Sequence, residues 1–406
     1  MSDLEDVLVT GLGAITPLGT DTASTWSGLL SGTSGVSLLA EEWAERLPVR
    51  VGAALSVDPA SLLDRVEARR LDRCEQLALI SSREAWRDAG APEVEPERLA
   101  VVIGTGTGGV LTTLGQDDTY EKGGARRLSP YAVPMLMPNG PAAWVSIDLG
   151  AKGGARTPVS ACASGAEAIA MGLDLIRAGR ADVVVAGGTE ACLHPFTLAA
   201  FAQMKAVSTQ GDDPESVSRP FDVDRSGFVM GEGAGVLVLE RAEFARARRA
   251  RAYGAVAGAG VTSSADHITA SDVSGQVRAI ETALRDARLS PSDIGVVHAH
   301  ATSTPPGDLA EAEAVAQAIG THPVVTATKS MTGHMLGASG AVGAMAALLA
   351  LHEGTVPATR NLDRLDPAVT LDVVAGTNRT GQWDAALANS FGFGGHNVSL
   401  VLKRTT

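Results

Sequence analysis

One pattern occurs twice in this chain, and it constrains the fold more than any other feature. RTPVSACASGAEAIAMGLDLIRAG (156–179) and PVVTATKSMTGHMLGASGAVGAMAALLALHEG (323–354) each read as a strand, a small-residue loop and a small-residue helix. Upstream of each lies a second matching pair. REAWRDAG (83–90) leads through an acidic connector to the strand LAVVI and the loop GTGTGG (104–109). ETALRDARLSPSDIGVVHAHATST (281–304) runs helix, Ser-Pro turn, strand and polar loop. Residue identity between the copies is weak, but their order is preserved. This predicts a duplicated α/β core divided near residue 250, with halves 1–250 and 251–406 and the basic stretch ERAEFARARRARA (240–252) at the join.

The remaining elements agree. DVLVTG (6–11), LAVVIGTG (99–106) and ADVVVAGG (181–188) are near-continuous apolar runs ending in glycine, as parallel strands buried on both faces require. CEQLALISSREAWRDAG (74–90) and SGAEAIAMGLDLIRAG (164–179) read as helices that stop at glycine. Aromatics make up 4% of the chain against 46 glycines, so strands and helices must pack closely through small side chains. Residues 110–145 and 190–230, richer in Pro and Met, read as irregular insertions able to cap a site.

Charge and cysteine use narrow the function. Lys and Arg number 33 and Asp and Glu 46, a net charge of −13, which argues against broad binding to nucleic acid or an anionic membrane. Cys74, Cys162 and Cys192 form neither a CxxC pair nor a zinc-like cluster, which suggests reduced thiols and a cytoplasmic setting. The start MSDLEDVLVTGLG is acidic and enters a strand, unlike a signal peptide. No uninterrupted apolar run approaches the ~18 residues of a membrane span.

Cys162 is the first candidate for chemistry. A strand delivers it to a tight turn, and a helix begins directly after it, so helix-end N–H groups and dipole should favour the thiolate. Ala161, Ala163, Ser164 and Gly165 leave room for a carbonyl beside the sulfur. An isolated cysteine is more often a structural one, and Cys74 and Cys192 keep that reading. His300, in VVHAHATSTPPGD, and His334, in TKSMTGHMLGASG, sit in polar loops after strands, where ligands of open α/β sheets gather. One thiol and two imidazoles at three strand ends suit acyl transfer. His194, His298, His322 and His352 read as ordinary structural histidines; His396 is left open.

Lys329 precedes His334 by five positions, and Glu311 follows His300 by eleven on a helical stretch. A buried pair would hold both histidines and tune them, although a surface pair is the commoner outcome. In SFGFGGHN (390–397), glycines permit an unusual backbone path, and Phe391 and Phe393 add bulk. Its N–H groups would suit part of an oxyanion hole. GTGTGG fits a dinucleotide fingerprint, but LTTLGQDDTYEKGG after it makes a poor helix and no terminal acid follows at the usual interval. The histidines offer no metal spacing such as HExxH.

Together SACASG, RPFDVDRSGFVMGEGAG (219–235), HATSTPPGD, TKSMTGHMLGASGA and FGFGGHN, in that order along almost the whole chain, resemble the β-ketoacyl-acyl carrier protein synthases of the thiolase superfamily. The resemblance is to the elongating type II enzymes of bacterial fatty acid synthesis. It implies a thiolase-like αβαβα layered fold with internal duplication, and a homodimer. Cys162 is then the acyl-accepting nucleophile, with its N–H and that of Phe393 as oxyanion hole. His300 and His334 assist malonyl decarboxylation, supported by Lys329 and Glu311. Thr302 and Thr304 match positions that bind the phosphopantetheine arm. Thr107 and Phe201 match acyl-pocket positions, with Phe391 also against substrate, and Phe393 matches a gate. No cofactor or metal is implied, because substrates arrive on the arm of acyl carrier protein.

That carrier is acidic, as is this chain, so a local basic patch is needed; Arg69, Arg70, Arg126, Arg127 and Lys205 match by position. The sequence departs from the family pattern in three places. Ser264 replaces the acid that usually opens the gating loop, Thr107 replaces a bulky aliphatic, and Ala301 replaces a common glycine after His300. A type II polyketide ketosynthase shares the same set of residues. A chain-length factor usually lacks the cysteine, and a degradative thiolase needs a second catalytic cysteine near the C-terminus, where this chain has none after Cys192.

Overall fold

The computed structural model describes residues 7–405. The acidic start and Asp6, where the first expected strand begins, lie outside these residues. Strands β1 (Val7–Ile15), β2 (Leu99–Gly104), β3 (Ala155–Arg156), β4 (Val183–Glu190) and β5 (Gly233–Arg241) come first. They are followed by β6 (Gly254–Ser263), β7 (Ile294–His298), β8 (Val324–Thr326), β9 (Asp372–Val373), β10 (Ala385–Gly392) and β11 (His396–Lys403). Their spatial order is β9-β8-β7-β10-β11-β6-β1-β5-β4-β2-β3.

Outward from the β6/β1 seam, one side reads β1, β5, β4, β2, β3 and the other β6, β11, β10, β7, β8, with β9 added at the edge. Pairing sense repeats as well: antiparallel twice, then parallel twice, on each side. The duplication read from the sequence is therefore a duplication of topology. The seam itself is narrow, joining Val7, Leu8 and Val9 to Val256, Ala255 and Gly254.

Six helices complete the layers: α1 (Arg73–Asp88), α2 (Gly140–Leu149), α3 (Ser164–Arg177), α4 (Val273–Ala287), α5 (Pro305–Ala318) and α6 (Ser339–Glu353). Helices α1 and α2 cover the outer face of the first strand set, and α4 and α5 that of the second. Helices α3 and α6 lie between the sets and against each other, which gives an αβαβα sandwich. Strands β1, β2 and β4 are buried along their whole length, as their apolar runs require. A side chain at Gly340 would meet the backbone N of Ala166 at 2.7 Å, so glycine there sets the close approach of α6 to α3. Asp72 and Asp272 cap α1 and α4 by accepting from first-turn N–H groups.

Two expectations change. Val110–Gly123 forms a 14-residue helix rather than an irregular segment. It has no side-chain cap and buries no residue fully, so neither signal that marks a helix in sequence is present. Residues 140–149 of the same stretch are α2, part of the repeated architecture. In addition, the helical run Leu336–Glu353 is long and apolar enough to cross a membrane, with mean hydropathy 1.3. It is 89% buried inside the protein, as the central layer demands.

Candidate active site

Cys162 sits in a single turn, Ala161–Ala163, between β3 and α3. Ala161 adopts φ of +51°, a left-handed conformation unusual for a side-chain-bearing residue. Ser164 fastens the elbow: its Oγ accepts from Ser160 N–H at 3.0 Å and donates to the Ala161 carbonyl at 2.7 Å. The β10–β11 hairpin closes over it. A side chain at Gly392 would come within 2.6 Å of the Ser160 carbonyl oxygen, so only glycine lets the hairpin approach. The N–H groups of Phe393 and Cys162 both lie close enough to the sulfur to favour its charged form. They therefore face the point where a thioester oxygen would gain charge.

The thiol does not rest as the thiolate expected from its place before a helix. Burial pushes it up to about 12, outweighing the Lys329 charge and the two N–H groups that lower it. The sequence shows the helix end but not the removal of water from the sulfur. Cys74 and Cys192 are buried free thiols, also pushed well up by burial.

His300 follows β7, and His334 lies in the loop between β8 and α6. Cys162 Sγ and one ring nitrogen from each histidine lie within 4.8 Å of one another. The two rings meet edge to face with centroids 5.4 Å apart. Burial, then the Lys329 charge, holds both imidazoles well below their ordinary range, so both are neutral. Three donors this close also have the spacing of a metal ligand set. The Lys329 ammonium, however, places a positive charge beside the sulfur and His300.

The support differs from expectation in one respect. Glu311 and Lys329 are both buried, and their side-chain hydrogen bonds go to the His300 loop, while only the Lys329 charge reaches His334. Glu311 accepts from the N–H groups of His300 at 2.7 Å and Ala301 at 2.6 Å, and from Asn389 Nδ2 at 3.1 Å. Lys329 donates to the His300 carbonyl and stands 3.5 Å from its Nδ1. Burial lowers the Lys329 amine to about 8.

His334 is held by Ser339 instead. Ser339 Oγ accepts from Met335 N–H at 2.9 Å and lies 3.0 Å from His334 Nδ1. Donation of the hydroxyl hydrogen to Nδ1 leaves the imidazole proton on Nε2, which has no partner and stands free for substrate. Phe228 packs edge-on against this ring at 5.3 Å. Ser339, Asn389 and Phe228 were not singled out from sequence. Ser339 opens α6 in the stretch GASG, and its role depends on a loop fold that spacing does not reveal.

Cys162, His300, His334 and Phe228 line one cavity of about 80 Å³. Around the sulfur it is apolar, with Phe201, Phe228, Leu336, Phe391 and Phe393; Phe201 stacks on Phe393 at 6.4 Å. Its other end is polar, with Thr302 and Thr304 side by side at 3.1 Å between hydroxyls. Thr107 does not line this cavity. Its hydroxyl donates to Glu190 at 2.6 Å. The buried Glu190 carboxylate also accepts from the N–H groups of Gly106 at 2.8 Å and Thr107 at 3.2 Å. The N–H groups that a dinucleotide phosphate would need thus already bind a fixed anion, which disposes of GTGTGG as a nucleotide loop.

Residues 4–245 match the family described as "Beta-ketoacyl synthase, N-terminal domain", and 253–363 match "Beta-ketoacyl synthase, C-terminal domain". The chain belongs to the β-ketoacyl synthase family. It is similar to 3-oxoacyl-[acyl-carrier-protein] synthase 2 of Synechocystis sp., at 44% identity over the whole of both chains. A solved β-ketoacyl synthase from Burkholderia phymatum superposes with a TM-score of 0.92 at 33% identity, covering 99% of this chain and 100% of that one. AntDE:AntF, a type II PKS acyl-carrier protein in complex with its ketosynthase, matches with a TM-score of 0.91 at 28% identity over the whole of both chains.

On this β-ketoacyl synthase, Arg69, Arg70, Arg126, Arg127 and Lys205 are all exposed. None forms an ion pair among the described residues, so their charge faces solvent. The Arg70 guanidinium lies 5.4 Å from the Tyr131 ring centre, which brings it beside the segment that follows Arg126 and Arg127. Ser264, in place of the usual acid, accepts from Asn397 Nδ2 at 2.9 Å, and its N–H donates to the Gly395 carbonyl. The loop is therefore latched to the hairpin by neutral hydrogen bonds.

Proposed function

We propose that this chain is an elongating β-ketoacyl-acyl carrier protein synthase of fatty acid synthesis. The observation that carries the reading is the convergence on Cys162 of two N–H donors and two neutral imidazoles in one cavity. In the first half-reaction the sulfur attacks an acyl thioester. The thioester oxygen gains charge against the N–H groups of Cys162 and Phe393. The old C–S bond breaks, and the cysteine proton ends on the departing arm thiol. In the second half-reaction a malonyl thioester occupies the same place. Its carboxylate leaves as carbon dioxide, and the electron pair of the broken C–C bond passes into an enolate. His300 and His334 donate to the enolate oxygen. Its carbon attacks the acyl-cysteine carbonyl, the C–S bond to Cys162 breaks, and the sulfur regains a proton. The product is a β-ketoacyl thioester two carbons longer, and the chemistry calls on no cofactor or metal.

The substrates would come on acyl carrier protein, docked at the exposed arginines and Lys205. Thr302 and Thr304 would hold the arm, and Phe201 and Phe391 would face substrate. Phe393, stacked on Phe201, would swing as a gate, and Thr107 would bear on chain length through its tie to Glu190. The first half, 1–250, carries the nucleophile and the second, 251–406, the histidines. A cytoplasmic homodimer fits the acidic chain with free thiols; Val133, Ile147 and Phe196 are exposed apolar side chains that a second copy would cover. Identity to the fatty acid enzyme exceeds that to the polyketide ketosynthase, 44% against 28%, and favours the fatty acid branch.

The test offers a ladder of saturated acyl carrier proteins with malonyl carrier protein and reads adducts by intact-protein mass. Wild type should gain one acyl group and extend it by two carbons. Cys162→Ala should gain none while melting within a few degrees of wild type. An adduct on the variant overturns the assignment of the nucleophile, and condensation confined to polyketide-type primers overturns the pathway.

A further inference from the structure

The polar end of the cavity contains a side chain that the proposed chemistry does not yet use. Gln276, on the first turns of α4, lines the cavity together with Ser264, Thr302, Thr304 and Asn397. It is 2% exposed, and its Oε1 has no hydrogen-bond partner. A buried amide oxygen left unpaired costs ~1–3 kcal/mol, so its persistence needs a reason.

Among the described residues none of its neighbours donates to it. Asn397 has two side-chain hydrogens, and both are engaged: one interaction is with Ser264 Oγ at 2.9 Å and the other with the Gly395 carbonyl at 3.1 Å. Of the Thr302 and Thr304 hydroxyls one donates to the other, and neither bonds Oε1. The Asp272 carboxylate beside it supplies no donor and is occupied by the N–H groups of Ser274 and Gly275. A donor that enters the cavity would supply the missing partner. Gln276 shares that lining with Thr302 and Thr304, where the carrier's arm rather than the acyl chain would lie. A phosphopantetheine arm carries secondary amides, whose N–H groups are donors of this kind.

We propose that Gln276 is a substrate-binding residue whose Oε1 accepts a hydrogen bond from an amide N–H of the arm. The inference rests on the synthase reading above. It assigns the arm a third side-chain contact, beyond Thr302 and Thr304, from an element that neither histidine loop includes. The contact also distinguishes an amide-bearing arm from a plain alkyl thioester, because only the former brings the missing donor.

The experiment compares wild type, Gln276→Leu and Gln276→Glu. Leucine keeps the bulk without polar atoms, and glutamate keeps the acceptor oxygen. Loading of Cys162 from an acyl-pantetheine thioester is measured beside alkylation of Cys162 by iodoacetamide, which has no arm. Loss of one such bond should raise KM for acyl-pantetheine in Gln276→Leu by roughly 5- to 10-fold. kcat should stay within about twofold, alkylation should be unchanged, and Gln276→Glu should restore most of KM. An unchanged KM in Gln276→Leu overturns the proposal. So does alkylation that slows in parallel with loading, because it would show a cavity disturbed as a whole. If wild type alkylates normally but takes no acyl group from pantetheine or carrier, the synthase reading fails instead.

Discussion

The two loops that supply imidazoles serve one cavity but are built differently. The loop after β7 holds His300 through charge. Glu311 grips two consecutive N–H groups, Lys329 takes the carbonyl between them, and Asn389, itself held by Ser399 at 2.9 Å, steadies the carboxylate. The loop after β8 pairs the His334 backbone with Val229 and Gly231 and holds its ring through one neutral hydroxyl, that of Ser339, acting on a ring nitrogen. The first arrangement fixes a backbone, and the second fixes a tautomer. Two imidazoles that both lie within 4.8 Å of the sulfur should therefore fail in different ways when their supports are removed.

The largest effect is expected from His334→Ala, which removes a donor to the enolate. Malonyl decarboxylation should fall by ~10²–10³-fold, as for loss of one oxyanion donor, with loading of Cys162 retained within about tenfold. Equal losses in both half-reactions would erase the contrast. Next comes Glu311→Gln, which leaves one N–H facing an amide NH₂ in a buried site. It should lower unfolding stability by ~2–3 kcal/mol in denaturant titration and depress both half-reactions. Ser339→Ala should leave stability within ~1 kcal/mol and lower decarboxylation alone by ~10-fold. A melting loss as large as that of Glu311→Gln would show that the hydroxyl is structural rather than tautomer-setting.

The smallest effect is in pH dependence. Both histidines are held well below their ordinary range by burial, so protonation does not reach them as pH falls from 7.5 to 6. Decarboxylation should stay level across that interval, whereas an imidazole of ordinary pKa, about 6.5, would titrate through it. Cys162, raised to about 12, should alkylate faster with every step up to pH 9. A plateau near neutrality would restore the activated thiolate that the helix end suggests.

Local features of the sequence were the legible ones. Apolar runs ending in glycine gave β1, β2 and β4, and small-residue periodicity gave α3 and α6. Cys162 between a strand and a helix was visible for the same reason. The pairing of Thr107 with Glu190 was not, because it joins residues brought together only by the β2–β4 ladder. The helix Val110–Gly123 was missed because it has no buried stripe to set a period. The neutral state of Cys162 was missed because burial is a property of the folded whole, and a helix end alone predicts the opposite sign. Ser339 and Gln276 carried no signal: serine at a helix start and glutamine on a helix are commonplace until a cavity surrounds them.

The placement of β1 has a consequence for biosynthesis. Strand β1 is flanked by β5 and β6, both later in the chain, so Val7 must wait for Arg241 and Val256 before it has these neighbours. The hairpin that brings Phe393 to Cys162 is made long after the nucleophile. A chain that has not yet reached this hairpin therefore carries the nucleophile but lacks the Phe393 half of the oxyanion pair. Such long-range pairing is slow to form and exposes strand edges meanwhile. Newly made chains should accordingly depend on chaperones until this hairpin seats.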